Sequence, residues 1–243
     1  MRAPLVGRWA QRRSWPGLAG ACLLLALGVS APSAHAQVAP SNAQVGAYHG
    51  LHSAAHTGDV AQLQKLINAR VDLNVRDEFG RTPLHVATFA RQREAIRLLT
   101  KAGANLALLE NDRYDAVTIA AVAGDEETLR LLLAKGASAA LVTSRYDGTA
   151  LIAAAHLGHV GVVKQLIAAG APLDHVNNLH WTALIEAIVL GDGGQRHQNI
   201  VRDLLAAGAS PHLTDRQGTT PLALARARGF DAMVRLLEAA GAK

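Results

Sequence analysis

The sequence has a single cysteine and few aromatic residues. The cysteine, Cys22, lies in an apolar run near the amino terminus, and aromatic residues make up 4% of the 243 positions. If that run is removed by processing, no thiol remains, so the chain needs no disulfide in an oxidising compartment and cannot be damaged there by cysteine oxidation. The scarcity of aromatic residues predicts an interior built mostly from Leu, Ile, Val and Ala.

The sequence also lacks the short motifs that carry catalysis. It has no glycine-rich phosphate loop, nucleophile elbow, H-E-x-x-H pair or paired-carboxylate motif. The segment Gly191-Asp192-Gly193-Gly194 lacks the lysine of a P-loop and the ligand series of an EF-hand, so we interpret it as a flexible turn. We therefore predict that the protein is not an enzyme and binds no cofactor.

Excess basic charge is confined to the amino terminus. The formal net charge is +5, from 24 Lys and Arg residues against 19 Asp and Glu residues. Without Arg2, Arg8, Arg12 and Arg13, the chain has 20 basic and 19 acidic residues. Because no basic patch or nucleic-acid module then remains, we expect no nucleic-acid partner.

Residues 1–36 have the organisation of a secretory signal peptide. The four arginines precede an apolar run from Leu18 to Val29, and Ala34-His35-Ala36 provides a small-x-small cleavage site. The run of about 12 residues is shorter than the ~20 that a spanning helix needs, which favours cleavage over an uncleaved anchor. Pro16 follows Arg12-Arg13 and favours general secretion over twin-arginine export. We predict a periplasmic protein without membrane contact after cleavage; secretion or a signal anchor are the alternatives.

Residues 37–47 are mostly small or polar and show no apolar periodicity. Pro40 within this segment favours irregular structure. We therefore expect a flexible leader between the signal peptide and the remainder of the chain.

From residue 48 onward the sequence repeats itself. Successive landmarks are separated by 33 or 34 residues, apart from one interval of 38. The equivalent apolar residues are Leu51, Leu84, Val117, Leu151, Leu184 and Leu222, and the equivalent glycines are Gly103, Gly136, Gly170, Gly208 and Gly241. A period near 33 excludes the longer armadillo, propeller and kelch repeats.

The most regular repeat contains the segment GRTPLHVATFARQREAIRLLTKAG, residues 80–103. Pro83 suits the first position of a helix, Thr82 can cap that helix, and Gly103 supplies the positive φ that ends a second helix. The segment resembles the ankyrin repeat. The resemblance implies an all-α solenoid of about six helix-turn-helix repeats with short hairpin-like loops. The predicted repeats are residues 48–76, 77–109, 110–143, 144–176, 177–214 and 215–243.

Two repeats depart from this pattern. In the third, Arg113, Asp115 and Ala116 replace the Gly, Thr and Pro that shape the turn, so we expect a less regular turn. In the fifth, about five extra residues fall within Gly191 to Asn199. A glycine-rich, polar insert between helices predicts a surface loop.

The resemblance implies that the protein binds another protein. In ankyrin proteins, the hairpin tips and the exposed side of the first helices form a concave binding surface. The predicted partner-binding residues are Phe79, Phe89, Tyr114, Val122, Tyr146, Leu157, Trp181, Val189 and Leu190. Alternatively, the tip aromatics pack on their neighbours and stiffen the turns. The chain also resembles exported ankyrin proteins of Gram-negative bacteria, which implies a periplasmic antioxidant enzyme such as a catalase as partner; we expect the protein itself to be a monomer.

Two histidine clusters suggest a competing function. His49, His52 and His56 have helical spacing, as do His156 and His159. Neither cluster has a cysteine or a well-spaced carboxylate to complete a metal site, and the resemblance implies that His52 and His85 form hydrogen bonds between repeats. We therefore predict no metal site. A histidine-dependent metal-binding protein, or a secreted protein acting on another cell, remain the alternatives.

Overall fold

The computed structural model describes residues 38–243, and the predicted signal peptide lies outside this range. The described residues form helices joined by turns, with one isolated β-bridge between Thr143 and Gly148. None of these helices is long and apolar enough to span a membrane. The helices are α1 (Asn42–Ala47), α2 (Gly50–Thr57), α3 (Val60–Asn68), α4 (Pro83–Phe89), α5 (Arg93–Lys101), α6 (Ala116–Val122), α7 (Glu126–Ala134), α8 (Ala150–Leu157), α9 (Val160–Ala168), α10 (Ala183–Val189), α11 (Gln195–Ala206), α12 (Pro221–Ala227) and α13 (Asp231–Ala239).

Helices α2 to α13 form six antiparallel pairs, one for each predicted repeat. The first helices of the pairs (α2, α4, α6, α8, α10 and α12) contact one another in series, and the second helices (α3, α5, α7, α9, α11 and α13) do the same. The result is a two-layered stack in which each pair covers the apolar face of its neighbour. The predicted all-α solenoid is confirmed.

The repeating apolar residues form the core between the layers. The six equivalent positions, Leu51, Leu84, Val117, Leu151, Leu184 and Leu222, are at most 3% exposed. Alanines lie where helices approach closely, and Ala55, Ala121 and Ala155 are fully buried. The scarcity of aromatic residues follows from this geometry, because the short distance between stacked helices leaves no room for large rings.

Polar side chains cap the first helices. The sequence predicted such a cap at Thr82 in the second repeat, and equivalent residues do the same elsewhere. Thr82, Thr149, Thr182 and Thr220 each accept a hydrogen bond from the backbone amide three residues later. Pro83 occupies the first turn of α4, where its missing amide hydrogen costs little. These caps satisfy amides that a helix leaves without a partner, which sets where each first helix begins.

The third turn is regular, so the prediction of a less regular turn was wrong. Arg113 adopts a φ of 67°, close to the 72° of Gly80 at the equivalent position. Asp115 replaces the capping threonine and accepts a hydrogen bond from the amide of Thr118 at 2.9 Å. The strain of a positive φ at arginine is offset in part by its guanidinium, which donates to Asp147 Oδ1 at 2.8 Å.

The segment that precedes the first repeat is helical, which corrects the expectation of a flexible leader for residues 38–47. Ser41 caps α1, and the side chain of Gln44 accepts a hydrogen bond from the Ser41 amide. The guanidinium of Arg81 donates to Gln44 Oε1 at 3.1 Å and to the carbonyl of Val38 at 3.0 Å. These contacts are polar, and a search for apolar periodicity does not detect them.

The insert of the fifth repeat is largely helical, so the predicted surface loop was wrong for most of it. Only Gly191 to Gly194 form a turn, and α11 begins at Gln195. Helix α11 has 12 residues, whereas α9 has nine. The insert therefore extends a helix at its amino-terminal end and brings a buried residue, His197, into the stack.

Candidate partner-binding face

The concave face is defined here by the hairpin tips and the first helix of each repeat. Neighbouring tips are joined by backbone hydrogen bonds: the Asn111 amide donates to the Phe79 carbonyl, and the Asn178 amide donates to the Tyr146 carbonyl, each at 2.9 Å. The Arg145 guanidinium also donates to Asp112 on the neighbouring tip at 2.8 Å. These hydrogen bonds tie the tips of the second to fifth repeats to one another.

At the amino-terminal end of this face, two predicted binding residues contact the chain itself. The guanidinium of Arg81 lies 4.7 Å from the ring centre of Phe79 and 5.7 Å from that of Phe89. Arg81 is 4% exposed, and a cation over aromatic rings is stabilised by their quadrupoles. Phe79 thus packs on its own neighbour, as the alternative interpretation of the tip aromatics proposed, and Phe89 of α4 lies against the same guanidinium.

The other predicted binding residues lie in the centre of the face. Tyr114, Val122, Tyr146, Trp181 and Val189 are half-buried. Leu157 and Leu190 are the most accessible of the predicted set, at 38% and 39% exposure. They occupy equivalent positions at the ends of successive first helices, so the structure places two exposed apolar side chains side by side in the stack.

Sequence analysis missed Glu186, a buried acidic residue in α10. Its side chain is 6% exposed. Oε1 accepts a hydrogen bond from Asn177 Nδ2 at 3.1 Å, whereas Oε2 has no hydrogen-bond partner among the described residues. Nδ1 of His156 lies 3.8 Å from Oε2. The pKa of Glu186 is raised from 4.5 to about 7, because the carboxyl is buried. The hydrogen bond from Asn177 opposes this shift but is the smaller effect.

The repeat pattern itself contained a signal for Glu186. The equivalent residues of α4, α6, α8 and α12 are Val86, Ile119, Ala153 and Leu224. The equivalent residue of α2 is Ser53, so Glu186 is the one ionisable residue among the six, and a buried carboxyl is costly unless it has a partner. Comparison of the repeats column by column would have singled it out.

His197 is a second residue that sequence analysis missed. Its Nε2 donates to the carbonyl of His156 at 3.0 Å, and its Nδ1 lies 2.8 Å from Asp192 Oδ1. The hydrogen bond to His156 joins α11 to the carboxyl end of α8, one repeat away. The extra helical turn of the fifth repeat therefore fixes the part of the concave face that contains His156 and Leu157.

Replacing His197 with alanine is expected to lower the free energy of unfolding by about 2 kcal/mol, because the buried carbonyl of His156 loses its donor. Urea unfolding of the full chain measures the change. Arg196→Ala is the matched control, since it alters the neighbouring exposed residue of the same helix. Equal effects of the two substitutions would show that the hydrogen bond contributes nothing specific.

The histidines of the two sequence clusters have separate contacts. His52 Nε2 donates to the carbonyl of Arg81 at 2.8 Å, and His49 Nδ1 lies 3.3 Å from the Ala47 carbonyl. His159 Nε2 lies 3.2 Å from the Val122 carbonyl. No group of three or more potential metal ligands is present within residues 38–243.

His85 is hydrogen-bonded within its own repeat, whereas the bond of His52 to the Arg81 carbonyl joins two repeats, as the resemblance implied. The Nε2 of His85 donates to the carbonyl of Leu108 at 3.0 Å, and its Nδ1 accepts from the Thr82 amide at 3.0 Å. Burial lowers the pKa of His85 to about 4, although the hydrogen bond to Leu108 opposes this shift. The neutral ring is therefore part of the scaffold.

The stacked helix pairs and their hydrogen-bonded tips define a repeat protein with a continuous face of tips and first helices. The family model described as ankyrin repeats (3 copies) matches residues 51–143 and 139–215. The chain belongs to the ankyrin-repeat family. Ankyrin repeats generally bind another protein, and members of the family are typically scaffolds without enzymatic activity.

Similar proteins include several from bacteria. The putative ankyrin repeat protein YahD of Escherichia coli is 39% identical over 190 residues, which span 78% of this chain and 94% of YahD. The crystal structure of an ankyrin repeat domain from Acinetobacter baumannii is 45% identical, with a TM-score of 0.76, covering 79% of this chain and 98% of that domain. A chain of the complex between a predatory endopeptidase and an immunity protein from Bdellovibrio bacteriovorus shares the fold, at 23% identity and a TM-score of 0.66, over 79% of this chain and 98% of that one.

Proposed function

We propose that this protein is an exported scaffold that binds another protein through the centre of its concave face. The observation that carries the proposal is the pair of exposed leucines, Leu157 and Leu190, on a face whose tips are joined by hydrogen bonds. Half-buried Tyr146 and Trp181 lie at the tips of the same two repeats. Tyr and Trp are enriched among the residues that dominate binding energy, and exposed apolar side chains beside them add area that a partner can bury.

The protein would bind its partner through a surface that is already formed in the free state. The backbone hydrogen bonds between tips and the buried side chains of the first helices hold the surface in place before a partner arrives. Binding then requires little ordering of the scaffold, so more of the contact energy contributes to affinity.

The proposed location rests on residues 1–36. Their basic start, apolar run and small-x-small site support export to the periplasm, with release from the cell as the alternative. A periplasmic enzyme, for example an antioxidant enzyme such as a catalase, is the partner that we propose for a scaffold in that compartment.

Pull-down from a periplasmic extract tests this function. The full chain is expected to recover a protein in stoichiometric amount, and Trp181→Ala combined with Tyr146→Ala is expected to lose it. The matched control is Val60→Ala, which removes an exposed apolar side chain from α3 in the outer layer. Recovery unaffected by the double substitution would contradict the proposed face, and absence of the mature chain from the periplasmic fraction would contradict the location.

A further inference from the structure

Arg81 places a buried cation at the amino-terminal end of the concave face. It occupies the place that Tyr114 and Trp181 occupy in their repeats, directly before the cap of a first helix. Its side chain is 5% exposed, and its guanidinium lies over the rings of Phe79 at a hairpin tip and Phe89 in α4. Two residues that were predicted to bind a partner therefore have the same cation as a neighbour.

The leader segment, residues 38–47, occupies donors of this guanidinium. Nη2 of Arg81 donates to the Val38 carbonyl at 3.0 Å, and Nη1 donates to Gln44 Oε1 at 3.1 Å. The Nε of Arg81 is buried and has no hydrogen-bond partner among the described residues. A partner that approaches Arg81 would therefore compete with the leader segment for its donors.

The leader segment is held weakly. Helix α1 has six residues and buries none of them, and none of the extensive contacts between the described helices involves it. So short a helix is unstable on its own, and a segment with few buried apolar contacts opens at low free-energy cost. Gln44 is central to the attachment, because its Oε1 also accepts the Ser41 amide at 2.9 Å. Loss of this side chain would remove the contact with Arg81 and one bond of the capping box of α1.

The face beside the leader segment continues towards the proposed binding site. Phe89, Val122 and Val189 occupy equivalent places in the second, third and fifth repeats, and all three are half-buried. They lie in one row along the first helices, between the leader segment and the exposed leucines of the fourth and fifth repeats. A partner that follows this row from the centre of the face reaches the leader segment.

The charge of Arg81 is already balanced. Oδ2 of Asp77 lies 4.0 Å from Nη1 of Arg81. Arg76 and Glu110 have opposite charges and bind backbone groups, and Glu78 adds an exposed acid. The charged residues of the third tip are paired with those of the fourth. The site therefore favours an uncharged oxygen acceptor, such as the carbonyl and the amide that the leader segment provides, over a further carboxylate.

We infer that the leader segment covers the amino-terminal end of the concave face in the free protein, and that a segment of the partner displaces it by placing a Gln or Asn side chain on Arg81. This inference rests on the proposed function of the concave face. The incoming amide oxygen accepts from Nη1 as Gln44 does, so the exchange leaves no buried donor on Nη1 without a partner. Release of the leader segment lowers the apparent affinity of every ligand that needs this end of the face.

Peptides selected from a phage library of random dodecapeptides test the cover. The selection uses the full chain with Gln44→Ala, and each bound peptide is then titrated against the wild type. A class of peptides that contain Gln or Asn is expected to bind the variant at least about tenfold more tightly, because the hydrogen bond from Gln44 to the charged Arg81 no longer has to be broken. Gln64→Ala, at an exposed glutamine of α3, is the matched control and should bind these peptides as the wild type does. Equal affinities of all peptides for Gln44→Ala and the wild type would overturn the inference.

The same peptides test the chemistry of the incoming group. Replacing the shared Gln or Asn with norleucine removes the oxygen acceptor and should weaken binding at least about tenfold. Replacing it with Glu should not strengthen binding, because Asp77 already lies beside the guanidinium. Unchanged binding after the first change, or tighter binding after the second, would show that Arg81 does not take an amide side chain.

Nuclear magnetic resonance of the wild type shows whether a bound peptide replaces the leader segment. The Val45 amide donates to the Ser41 carbonyl at 2.9 Å, and its resonance is expected to move to the position that it has in Gln44→Ala. The Ala104 amide, which donates to the Leu99 carbonyl at 3.0 Å after α5, serves as the reference and should keep its position. A Val45 resonance that is unchanged by bound peptide would contradict displacement.

Failure of the cover can be distinguished from failure of the proposed function. If Trp181→Ala with Tyr146→Ala loses the partner in the pull-down, but no peptide distinguishes Gln44→Ala from the wild type, the concave face binds a partner and the cover is wrong. If the double substitution has no effect but peptides displace the leader segment, the covered end binds ligands and the proposed centre is wrong.

Discussion

Truncating Leu132 to alanine is expected to lower the free energy of unfolding by about 2 to 5 kcal/mol. Leu132 is fully buried in α7, which packs between α5 and α9 of the neighbouring repeats. The substitution removes apolar contacts and leaves a cavity that surrounding helices can only partly fill. Because each repeat is covered only by its neighbours, the loss affects both interfaces of the third repeat.

Chemical denaturation with circular dichroism measures the effect of Leu132→Ala. Leu157→Ala is the matched control, because it is the same chemical change at a side chain that is 38% exposed. We expect the control to cost less than about 1 kcal/mol. Comparable losses in the two variants would show that the third repeat is not part of a continuous core.

The fold could be predicted from the sequence because the residues that begin each helix and those that form the core recur within every repeat. The positions equivalent to Leu84 recur at nearly constant spacing, and burial of one apolar side chain in each repeat follows from that recurrence. Thr82 and Pro83 begin a helix through contacts within a few residues. Stacking then needs only that each apolar face is covered by the next.

The features that sequence analysis missed depend on contacts between distant residues. Arg81 and Gln44 are 37 positions apart, and His197 and His156 are 41 positions apart. Polar contacts over such distances leave no periodic pattern. They stabilise α1 and extend α11, the two segments where irregular structure was expected.

The candidate site was predictable in part. The expected residues Leu157 and Leu190 are exposed on the concave face, whereas Phe79 and Phe89 contact Arg81. The cation that packs against these rings cannot be inferred from spacing alone. Glu186 was missed because a single acidic residue in a short helix is normally solvated, and its burial results from neighbouring repeats.

Removing the charge of Glu186 is expected to stabilise the protein at neutral and alkaline pH. The pKa of Glu186 is raised from 4.5 to about 7 in the folded protein, so the folded state retains a proton that the unfolded state has released between these values. Stability is therefore lost as pH rises from 4.5 through 7. Each unit of pKa shift corresponds to about 1.4 kcal/mol, so the loss at about pH 8 amounts to about 3 kcal/mol.

Thermal and urea unfolding of the wild type and Glu186→Gln across this range measure the loss. Glutamine has nearly the same volume and does not titrate, so its advantage should be near zero at about pH 4.5 and grow to about 3 kcal/mol at about pH 8. The pKa of His85, lowered to about 4, produces the opposite trend, with stability lost as pH falls, but it contributes equally to both proteins and cancels in the difference. Glu78→Gln, at an exposed position of the second hairpin, is the matched control for the chemical change. A constant difference between wild type and Glu186→Gln at every pH would mean that the buried carboxyl has the same pKa in the folded and unfolded states.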